Sequence, residues 1–355
     1  MKSVFIIIDN ITNGNGTERA VVNLANMLSD SKEYKVGIIS VKAAGGESVF
    51  LLNNDISLFF LDIKFSGNAI KHIYLYLKTL RKIKEIIDRE NVQIVIGTES
   101  GFNYTLPLLN KYVKTIGCEH FGWRKSFFHH KLLRRIIYPK LNKVVLLTER
   151  DLKHYSFLTN AVNIPNTISF HTKEESCFKN KQIIAIGRYT YQKGFDLLIS
   201  AAVEIKKELP NYRIFIYGSG EERKKLEEKI KYFSLQDYVF LKEPVQNISD
   251  VYKSSSIYVM TSRFEGLPMV LIEAQSFGIP IVSFDCPEGP SEVIVNGENG
   301  YLIEEGNVQK LADSVIALAK NEEEWKRMHH RSIELNARFS TENIFNKWND
   351  LLSKL

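Results

Sequence analysis

RFEGLPMVLIEAQSFGIPIV, residues 263–282, is the stretch that most clearly predicts the fold. Proline suits a first helical turn and glycine suits a helix end, so a helix is predicted from Pro268 to a stop at Gly278. The apolar run that follows predicts a buried strand. Glu265 and Glu273 lie eight residues apart across this turn and helix. A helix N-terminus favours phosphate, and carboxylates accept hydrogen bonds from hydroxyls, so the turn predicts a site for a nucleotide diphosphate and its sugar. An ordinary surface glutamate and a glutamate on a helix face fit the same two residues equally well.

Short apolar runs alternate with amphipathic helical patterns along nearly the whole chain. The runs are continuous in Val, Ile and Leu, as in strands covered on both faces, and they predict a parallel, doubly wound α/β sheet. The pattern restarts after NIPNTI (163–168). Two Rossmann-like domains, 1–164 and 165–337, are therefore predicted, with a cleft between the carboxyl ends of their sheets. Residues 338–355 predict a C-terminal helix that crosses back to the first domain.

Composition narrows the functional classes. The 355 residues are 44% hydrophobic and 25% charged, as in a soluble globular protein. The net charge of +6 does not require nucleic acid and suits an anionic ligand or membrane surface. The three cysteines form no CxxC pair, which indicates neither a disulfide framework nor a zinc site and favours a reducing compartment. MKSVFIIID predicts a first strand rather than a signal peptide, and no apolar run is long enough for a transmembrane helix.

A glycine-rich loop, NITNGNGTERA (10–20), joins the first predicted strand to the first helix. Gly14 and Gly16 let the backbone approach a ligand closely. Thr17 is predicted to cap the helix, and Glu18 falls in its first turn. The loop lacks the GxGxxG fingerprint, so nicotinamide binding receives little support. An ordinary βα turn with a good cap fits the same residues.

The second domain repeats this organisation with more charge. Gly187-Arg188 follows a predicted strand, and Lys193 lies five residues after Arg188. The planar guanidinium of Arg188 and the ammonium of Lys193, at this spacing, predict a pair of cations that binds a diphosphate from two sides. IYGSGEE, with Gly218, and CPEGPSEVI, with Gly289, are further strand-to-helix loops. An ordinary basic βα loop also fits Arg188 and Lys193.

Together these features resemble the family-4 retaining glycosyltransferases of the GT-B fold, of the bacterial surface-glycan or lipid-linked oligosaccharide type. The resemblance covers nearly the whole chain. It implies the α/β GT-B fold, with an acceptor-binding first domain, a nucleotide-sugar-binding second domain and a C-terminal helical tract. It rests on the order and spacing of GTERAVVNLAN, G-R-x4-K-G (187–194), YGSGEE, E-x7-E (265–273), GLPMVLIEA and GENGYLI.

The resemblance also implies roles for individual residues. Arg188 and Lys193 hold the donor diphosphate and offset the charge on the leaving group. Glu273 binds the ribose hydroxyls, and Glu265 faces the donor sugar. His120 faces the donor sugar from the first domain, although a lone histidine is more often structural. The implied catalytic set is thus Glu265, His120, Arg188 and Lys193.

Further contacts are implied for backbone groups and for the acceptor. The implied donor-binding set adds Gly14, Gly16, Thr17, Gly187, Gly218, Val245 (beside the uracil), Gly266 and Leu267. Glu119, next to His120, either orients that histidine or binds acceptor. The chain has no D-x-D carboxylate pair, which fits a mechanism that needs no metal or other cofactor.

Two basic amphipathic tracts suggest a membrane partner. HFGWRKSFFHHKLLRRIIYPKLNK (120–143) and LYLKTLRKIKEII (75–87) mix aromatic, apolar and cationic residues. Such stretches suit a surface of anionic lipids, although a solvated basic face over a buried apolar face fits them equally. The expected location is cytoplasmic and peripheral on the inner face of the cell membrane.

The leading hypothesis is a retaining hexosyltransferase of capsule, O-antigen or similar polysaccharide biosynthesis. Its donor is a UDP-hexose or UDP-N-acetylhexosamine, and its acceptor is a glycan linked to undecaprenyl diphosphate. No nucleic-acid partner is expected. A UDP-sugar epimerase or hydrolase of similar fold, and a non-catalytic nucleotide-sugar-binding regulator, are the alternatives.

Overall fold

A computed structural model describes the chain except for residues 66–68, 121–122, 124–125, 169–173 and 246, and except for the side chains of 69–71 and 73. The chain divides into two compact units. The first comprises Met1–Ser169 with Ser340–Leu355, and the second comprises Phe170–Phe339. These limits lie within five residues of the domain boundaries predicted at 164 and 337.

The described part of the first unit contains one seven-stranded sheet. Its strands are β1 (Lys2–Ile8), β2 (Tyr34–Ser40), β3 (Ser57–Phe60), β4 (Ile94–Gly97), β5 (Lys114–Glu119), β6 (Lys143–Leu146) and β7 (Ala161–Asn163). They pair in parallel in the order β3-β2-β1-β4-β5-β6-β7. The helices are α1 (Gly16–Asp30), α2 (Ala69–Glu90), α3 (Ser100–Asn103), α4 (Phe128–Ile137) and α5 (Glu149–His154), with 3-10 turns at Leu106–Leu109 and Tyr138–Lys140.

In the described part of the second unit, a six-stranded sheet has the same winding. Its strands are β8 (Gln182–Ile186), β9 (Arg213–Tyr217), β10 (Val239–Lys242), β11 (Ile257–Met260), β12 (Ile281–Phe284) and β13 (Gly300–Ile303). They pair in parallel in the order β10-β9-β8-β11-β12-β13. The helices are α6 (Phe195–Glu208), α7 (Arg223–Tyr232), α8 (Ile248–Lys253), α9 (Met269–Ser276), α10 (Pro290–Val293), α11 (Val308–Lys320) and α12 (Glu322–Asn336), with 3-10 turns at Tyr191–Lys193 and Ala337–Phe339.

Burial of both sheet faces explains the continuous apolar strands. In β1, Val4 to Ile8 are all fully buried, and Val4 pairs with Val36 on one side and Ile94 on the other. Each unit has its own core, one around Phe5 and Val95 and the other around Ile183 and Val259. The predicted α/β architecture of two doubly wound sheets is confirmed.

The strand orders locate the ligand edge of each sheet. The winding reverses between β1 and β4 in the first sheet and between β8 and β11 in the second. In open α/β sheets, ligands bind outside the carboxyl ends of strands at such a reversal. The loops that follow these four strands are therefore the candidate site loops.

The last helix, α13 (Thr341–Ser353), belongs to the first unit. Its buried side chains include Trp348 and Leu352. The Lys2 Nζ donates a hydrogen bond of 2.8 Å to the carbonyl of Leu352, which joins β1 to the end of α13. In the described part of the chain, no helix has the length and apolar character needed to cross a bilayer.

Several local predictions need correction. Asn15, not the predicted Thr17, occupies the N-cap of α1, because the helix begins at Gly16, two residues earlier than a Thr17 cap requires. The Asn15 side chain makes no capping hydrogen bond. Pro268 lies at the N-cap of α9 in an extended conformation rather than inside the first turn. The predicted stop at Gly278 is confirmed by its left-handed φ of 70°. The pattern of KLLRRIIYPK predicts a helix over 131–140, but the helix begins at Phe128 and ends at Ile137, where a 3-10 turn follows.

Candidate functional site

A buried ion pair lies at the reversal point of the second sheet. Lys193 ends the 3-10 turn after β8, and Glu265 lies in the loop after β11. The Lys193 Nζ is 2.7 Å from Oε1 of Glu265, and only 17% and 8% of the two side chains are exposed. Because β8 and β11 are neighbours, two residues far apart in sequence meet at one edge. The structure thus brings together two residues of the implied catalytic set.

Glycines pack the surrounding loops backbone to backbone. A Cβ added to Gly187 would lie 3.0 Å from Cε of Lys193, so the lysine stem crosses directly over this glycine. A Cβ on Gly218, at the end of β9, would lie 1.9 Å from the carbonyl oxygen of Gly187. Gly187 and Gly218 therefore place Lys193 by allowing close approach, a role that any side chain at either position would disturb.

Arg188 supplies an accessible cation next to this pair. Its side chain is exposed, and none of the described residues forms an ion pair or hydrogen bond with its guanidinium. An exposed guanidinium without such contacts can bind a diphosphate through two parallel hydrogen bonds, and no internal contact has to break first.

The loop between β11 and α9 presents backbone donors beside Glu265. Among the described residues, none accepts a hydrogen bond from the N–H groups of Gly266 or Leu267. Gly289 packs against this loop with a φ of 80°, and a Cβ there would lie 1.9 Å from the carbonyl oxygen of Gly266. The second glutamate, Glu273, lies on α9 with 1% of its surface exposed and accepts a hydrogen bond of 2.7 Å from the Tyr252 hydroxyl.

The predicted donor residues of the second unit share one sheet edge. Val245, 40% exposed, follows β10, and Gly218, Gly187 and Glu265 follow β9, β8 and β11. These four strands are consecutive in the sheet. These loops form a row along the edge, with the exposed Val245 at one end, Glu265 at the other and Lys193 in the loop next to that of Glu265.

In the first unit, the predicted residues also lie at carboxyl strand ends. Gly14 is exposed in the loop after β1, Gly16 is the exposed first residue of α1, and Thr17 lies half-buried in the first turn of that helix. His120 directly follows β5 and is half-buried. Desolvation by the surrounding protein lowers the pKa of His120 to about 4. Its imidazole is therefore neutral at pH 7 and can act as a hydrogen-bond donor or acceptor.

Glu119 has a structural role that its sequence position did not reveal. Its carboxylate is buried and lies 2.6 Å from Nη2 of Arg134, with both side chains 2% exposed. It also accepts hydrogen bonds from Ser100 at 3.1 Å, from Asn103 at 3.2 Å and from the Tyr138 hydroxyl. The network joins β5 to α3 and α4. Nothing in the described residues supports the predicted acceptor contact of Glu119 or a contact with His120.

Arg263 is a residue at the site that sequence reasoning did not single out. Its guanidinium forms two hydrogen bonds with Asp196 at the start of α6, of 3.0 and 2.8 Å, and lies 4.0 Å from the ring centroid of Tyr191. Arg263 thus ties the Glu265 loop to the loop that holds Lys193. Its partners are more than 60 residues away in sequence, so no local pattern indicated them.

Comparison with known proteins identifies the family. The sequence profile of the family described as "Glycosyl transferases group 1" matches residues 168–335. A protein of Haemophilus influenzae named an uncharacterized glycosyltransferase is 31% identical over 361 residues, which cover 99% of this chain and 100% of that protein. The chain belongs to this glycosyltransferase family.

A further relative and one solved structure extend the comparison. A Campylobacter jejuni protein is 30% identical over 334 residues, which cover 90% of this chain and 87% of the relative. It is named as an α-1,4-N-acetyl-D-galactosaminyltransferase acting on GalNAc-GalNAc-diNAcBac-PP-undecaprenol. A crystal structure of Staphylococcus aureus TarM, in complex with fondaparinux, α-GlcNAc-glycerol and UDP, matches with a TM-score of 0.83 at 19% identity and covers 99% of each chain. The similarity confirms the GT-B fold of this glycosyltransferase.

Proposed function

We propose that this glycosyltransferase moves a hexose or N-acetylhexosamine from a UDP-sugar to a glycan acceptor, with retention of anomeric configuration and without a metal. The observation that carries the proposal is the Lys193–Glu265 pair beside the exposed Arg188 at one sheet edge. The UDP bound in the related TarM structure supports the choice of nucleotide.

The charges of this edge suit a departing nucleoside diphosphate. Lys193 is only 17% exposed, so its ammonium acts through a poorly solvated environment in which charge interactions are stronger than in water. Arg188 adds a fork of donors that matches phosphate oxygens. In the part of the chain that the structure describes, no group of three or more His, Cys, Asp or Glu residues is arranged to hold a metal ion. The two cations are proposed to neutralise the leaving group in place of a metal.

The carboxylates are proposed to bind sugar hydroxyls. Lys193 holds Glu265 in place, so its second oxygen is oriented for a hydroxyl of the transferred sugar. Tyr252 fixes Glu273 in the same way for the ribose. Gly266 and Leu267 offer backbone N–H donors between the two glutamates. Glu265, engaged by Lys193, serves as a binding group rather than as a nucleophile.

Retention follows from attack on the face that the leaving group vacates. The acceptor oxygen forms a bond to the anomeric carbon while the bond from that carbon to the UDP oxygen breaks. The acceptor proton passes to the departing phosphate, so the products are the glycoside and UDP.

Thermal stabilisation by nucleotides tests the donor assignment. We expect UDP and one UDP-sugar to raise the melting temperature of the protein, with EDTA making no difference, because a ligand stabilises the state that binds it. Stabilisation by GDP or ADP in place of UDP would refute the donor choice, and loss of the UDP effect in EDTA would refute metal independence.

Substitution at the ion pair tests the site and the reaction. Lys193→Ala should abolish sugar transfer, whereas Lys231→Ala, at an exposed lysine near the end of α7, should not change it. UDP release that depends on added acceptor separates a transferase from an epimerase or hydrolase. Unchanged transfer by Lys193→Ala would show that the site is assigned to the wrong residues.

We also propose that α4 docks on an anionic membrane, where a glycan linked to undecaprenyl diphosphate would be the acceptor. Phe128, Leu132 and Ile136 are spaced along one face of α4 and are 82%, 50% and 53% exposed. Lys131 and Arg135 lie on the same helix and complement anionic headgroups. The lipid-linked substrate in the name of the C. jejuni relative supports this acceptor class.

Vesicle flotation tests this attachment. The wild-type protein should float with vesicles that contain phosphatidylglycerol, and a variant with both Leu132→Ser and Ile136→Ser should not. Leu108→Ser, at a residue 61% exposed in another part of the same unit, is the matched control and should float like the wild type. Failure of the wild-type protein to float with either anionic or neutral vesicles would remove the proposal.

A further inference from the structure

Three carboxylates and one lysine lie together at the carboxyl edge of the first sheet. Asp9 directly follows β1 and forms an ion pair of 2.7 Å with Lys42. Glu99 lies two residues after β4, the neighbour of β1, and Glu18 lies in the first turn of α1. This is the reversal point of the first sheet, where ligands bind in doubly wound folds. The proposed donor site uses neither Glu18 nor Glu99.

Glu18 is a buried carboxylate, and one of its oxygens accepts no hydrogen bond from the described residues. Only 4% of the residue is exposed, and Asn13 donates a long hydrogen bond of 3.4 Å to its Oε1. Within the described residues, no donor lies within hydrogen-bonding distance of its Oε2. An unmatched carboxylate oxygen in a desolvated place is unfavourable, so a buried group of this kind calls for a functional explanation.

Glu99 lies near Glu18 and is more accessible. It is half-buried and lies close enough to Asp9 and Glu18 for their charges to act on its carboxyl group. Burial, the charge of Asp9 and then that of Glu18 raise the pKa of Glu99 to about 7, although Lys42 acts in the opposite direction. At neutral pH the side chain is therefore present both as a carboxyl group, which donates a hydrogen bond, and as a carboxylate, which accepts one.

We propose that Glu99 and Glu18 form a subsite for hydroxyl groups of the acceptor's sugar, in which Glu99 contacts the sugar and Glu18 is a positioning residue behind it. A sugar hydroxyl both donates and accepts hydrogen bonds, as Glu99 does. The negative charges of Asp9 and Glu18 disfavour a phosphate at this position. This inference rests on the proposed transferase function, because the subsite would bind the acceptor of that reaction.

Carboxyl NMR of the full-length protein tests whether sugars reach Glu99. With glutamate labelled at the side-chain carboxyl carbon, the resonance lost in Glu99→Gln assigns Glu99. We expect it to titrate near pH 7 in the wild type and at lower pH in Glu18→Gln, where the buried negative charge is gone. Neutral octyl glycosides of glucose, galactose, N-acetylglucosamine and N-acetylgalactosamine are the probes, and at least one should shift this resonance. Octylamine and inorganic phosphate should not.

Kinetics provide the second readout. Glu99→Gln should raise the KM for the best octyl glycoside by about tenfold, since an amide replaces a charge-assisted partner. Glu33→Gln, at an exposed glutamate of the same unit, should leave that KM unchanged. UDP should stabilise all these variants as it does the wild type.

Three outcomes overturn the subsite: no glycoside shifts the Glu99 resonance, only octylamine or phosphate shifts it, or Glu99→Gln keeps the wild-type KM. Retained stabilisation by UDP in the same samples would leave the donor proposal intact, so the two failures are distinguishable. Absence of UDP stabilisation in the wild type would instead count against the proposed function.

Discussion

Replacing Gly289 with alanine should disable the donor loop through a single backbone contact. The added Cβ would lie 1.9 Å from the carbonyl oxygen of Gly266 and 2.7 Å from Cδ of Pro268. Cβ atoms essentially never approach other heavy atoms closer than 3.0 Å, so the Gly266 peptide must move by an ångström or more. That movement carries the N–H groups of Gly266 and Leu267 away from their present positions.

The expected loss of unfolding free energy in Gly289→Ala has two parts. A positive φ such as that of Gly289 costs a residue with a side chain about 1–2 kcal/mol. Because the opposing atom belongs to the backbone and not to a flexible side chain, loop displacement should bring the total loss of unfolding free energy to about 2–4 kcal/mol. Misplacement by an ångström at a site can reduce activity by about a hundredfold. We therefore expect Gly289→Ala to weaken UDP binding at least tenfold, that is, by about 1.4 kcal/mol.

Gly297→Ala is the matched control. Gly297 belongs to the same unit and has a φ of 81°, but a Cβ there would meet nothing within 4 Å. It should therefore lose only the conformational part, about 1–2 kcal/mol, and bind UDP normally. Urea unfolding and UDP titration of both variants measure these differences. Equal stabilities and equal UDP affinities in the two variants would refute the steric argument.

Other perturbations follow from the same loops. Arg263→Lys keeps the charge but loses the paired hydrogen bonds to Asp196, so the unfolding free energy should fall by about 1–2 kcal/mol and the UDP affinity by about threefold. Urea unfolding and UDP titrations that match the wild type would contradict this role of Arg263. Because the pKa of Glu99 rises from 4.5 to about 7 on folding, wild-type unfolding free energy should decline as pH rises from 4.5 to 7, by up to about 3 kcal/mol from this group. Glu99→Gln should lack that contribution in urea melts across this range. The pKa of His120 instead falls from 6.5 to about 4, so the unfolding free energy should decline as pH is lowered through this interval, by up to about 3 kcal/mol. A His120→Gln variant whose stability declines equally would show that another group is responsible.

Helices and strands were predicted best where a clear hydrophobic periodicity or apolar run is flanked by residues that end such elements. Apolar runs predict strands over 213–217, 257–260 and 281–284, and helical periods predict helices over 69–90, 308–320 and 322–336. Strands β9, β11 and β12 and helices α2, α11 and α12 have these limits, because each run or period ends at polar residues, glycine or proline. Strand β7 was missed because its three residues carry too little periodicity, and α3, with four residues, was missed for the same reason. Caps were less predictable, since Asn15 and Thr17 are both good capping residues and only the structure chooses between them.

Contacts at the site depended on tertiary structure. The motif pattern singled out Lys193 and Glu265, but their ion pair spans 72 residues and requires neighbouring strands. Arg134 shows the opposite error, because it lies in a basic tract interpreted as membrane-facing and is buried against Glu119. Charge type alone cannot distinguish an arginine that faces solvent from one that meets a buried carboxylate.

The membership of α13 in the first unit has a consequence for synthesis on the ribosome. The chain of the second unit, Phe170–Phe339, is inserted between β7 and α13, so the first unit is built from one segment made before the second unit and one made after it. Trp348 and Leu352 cover apolar surface that exists long before they are made. The second unit can therefore acquire all its residues first, and the nascent first unit must wait for α13 with that surface open to chaperones.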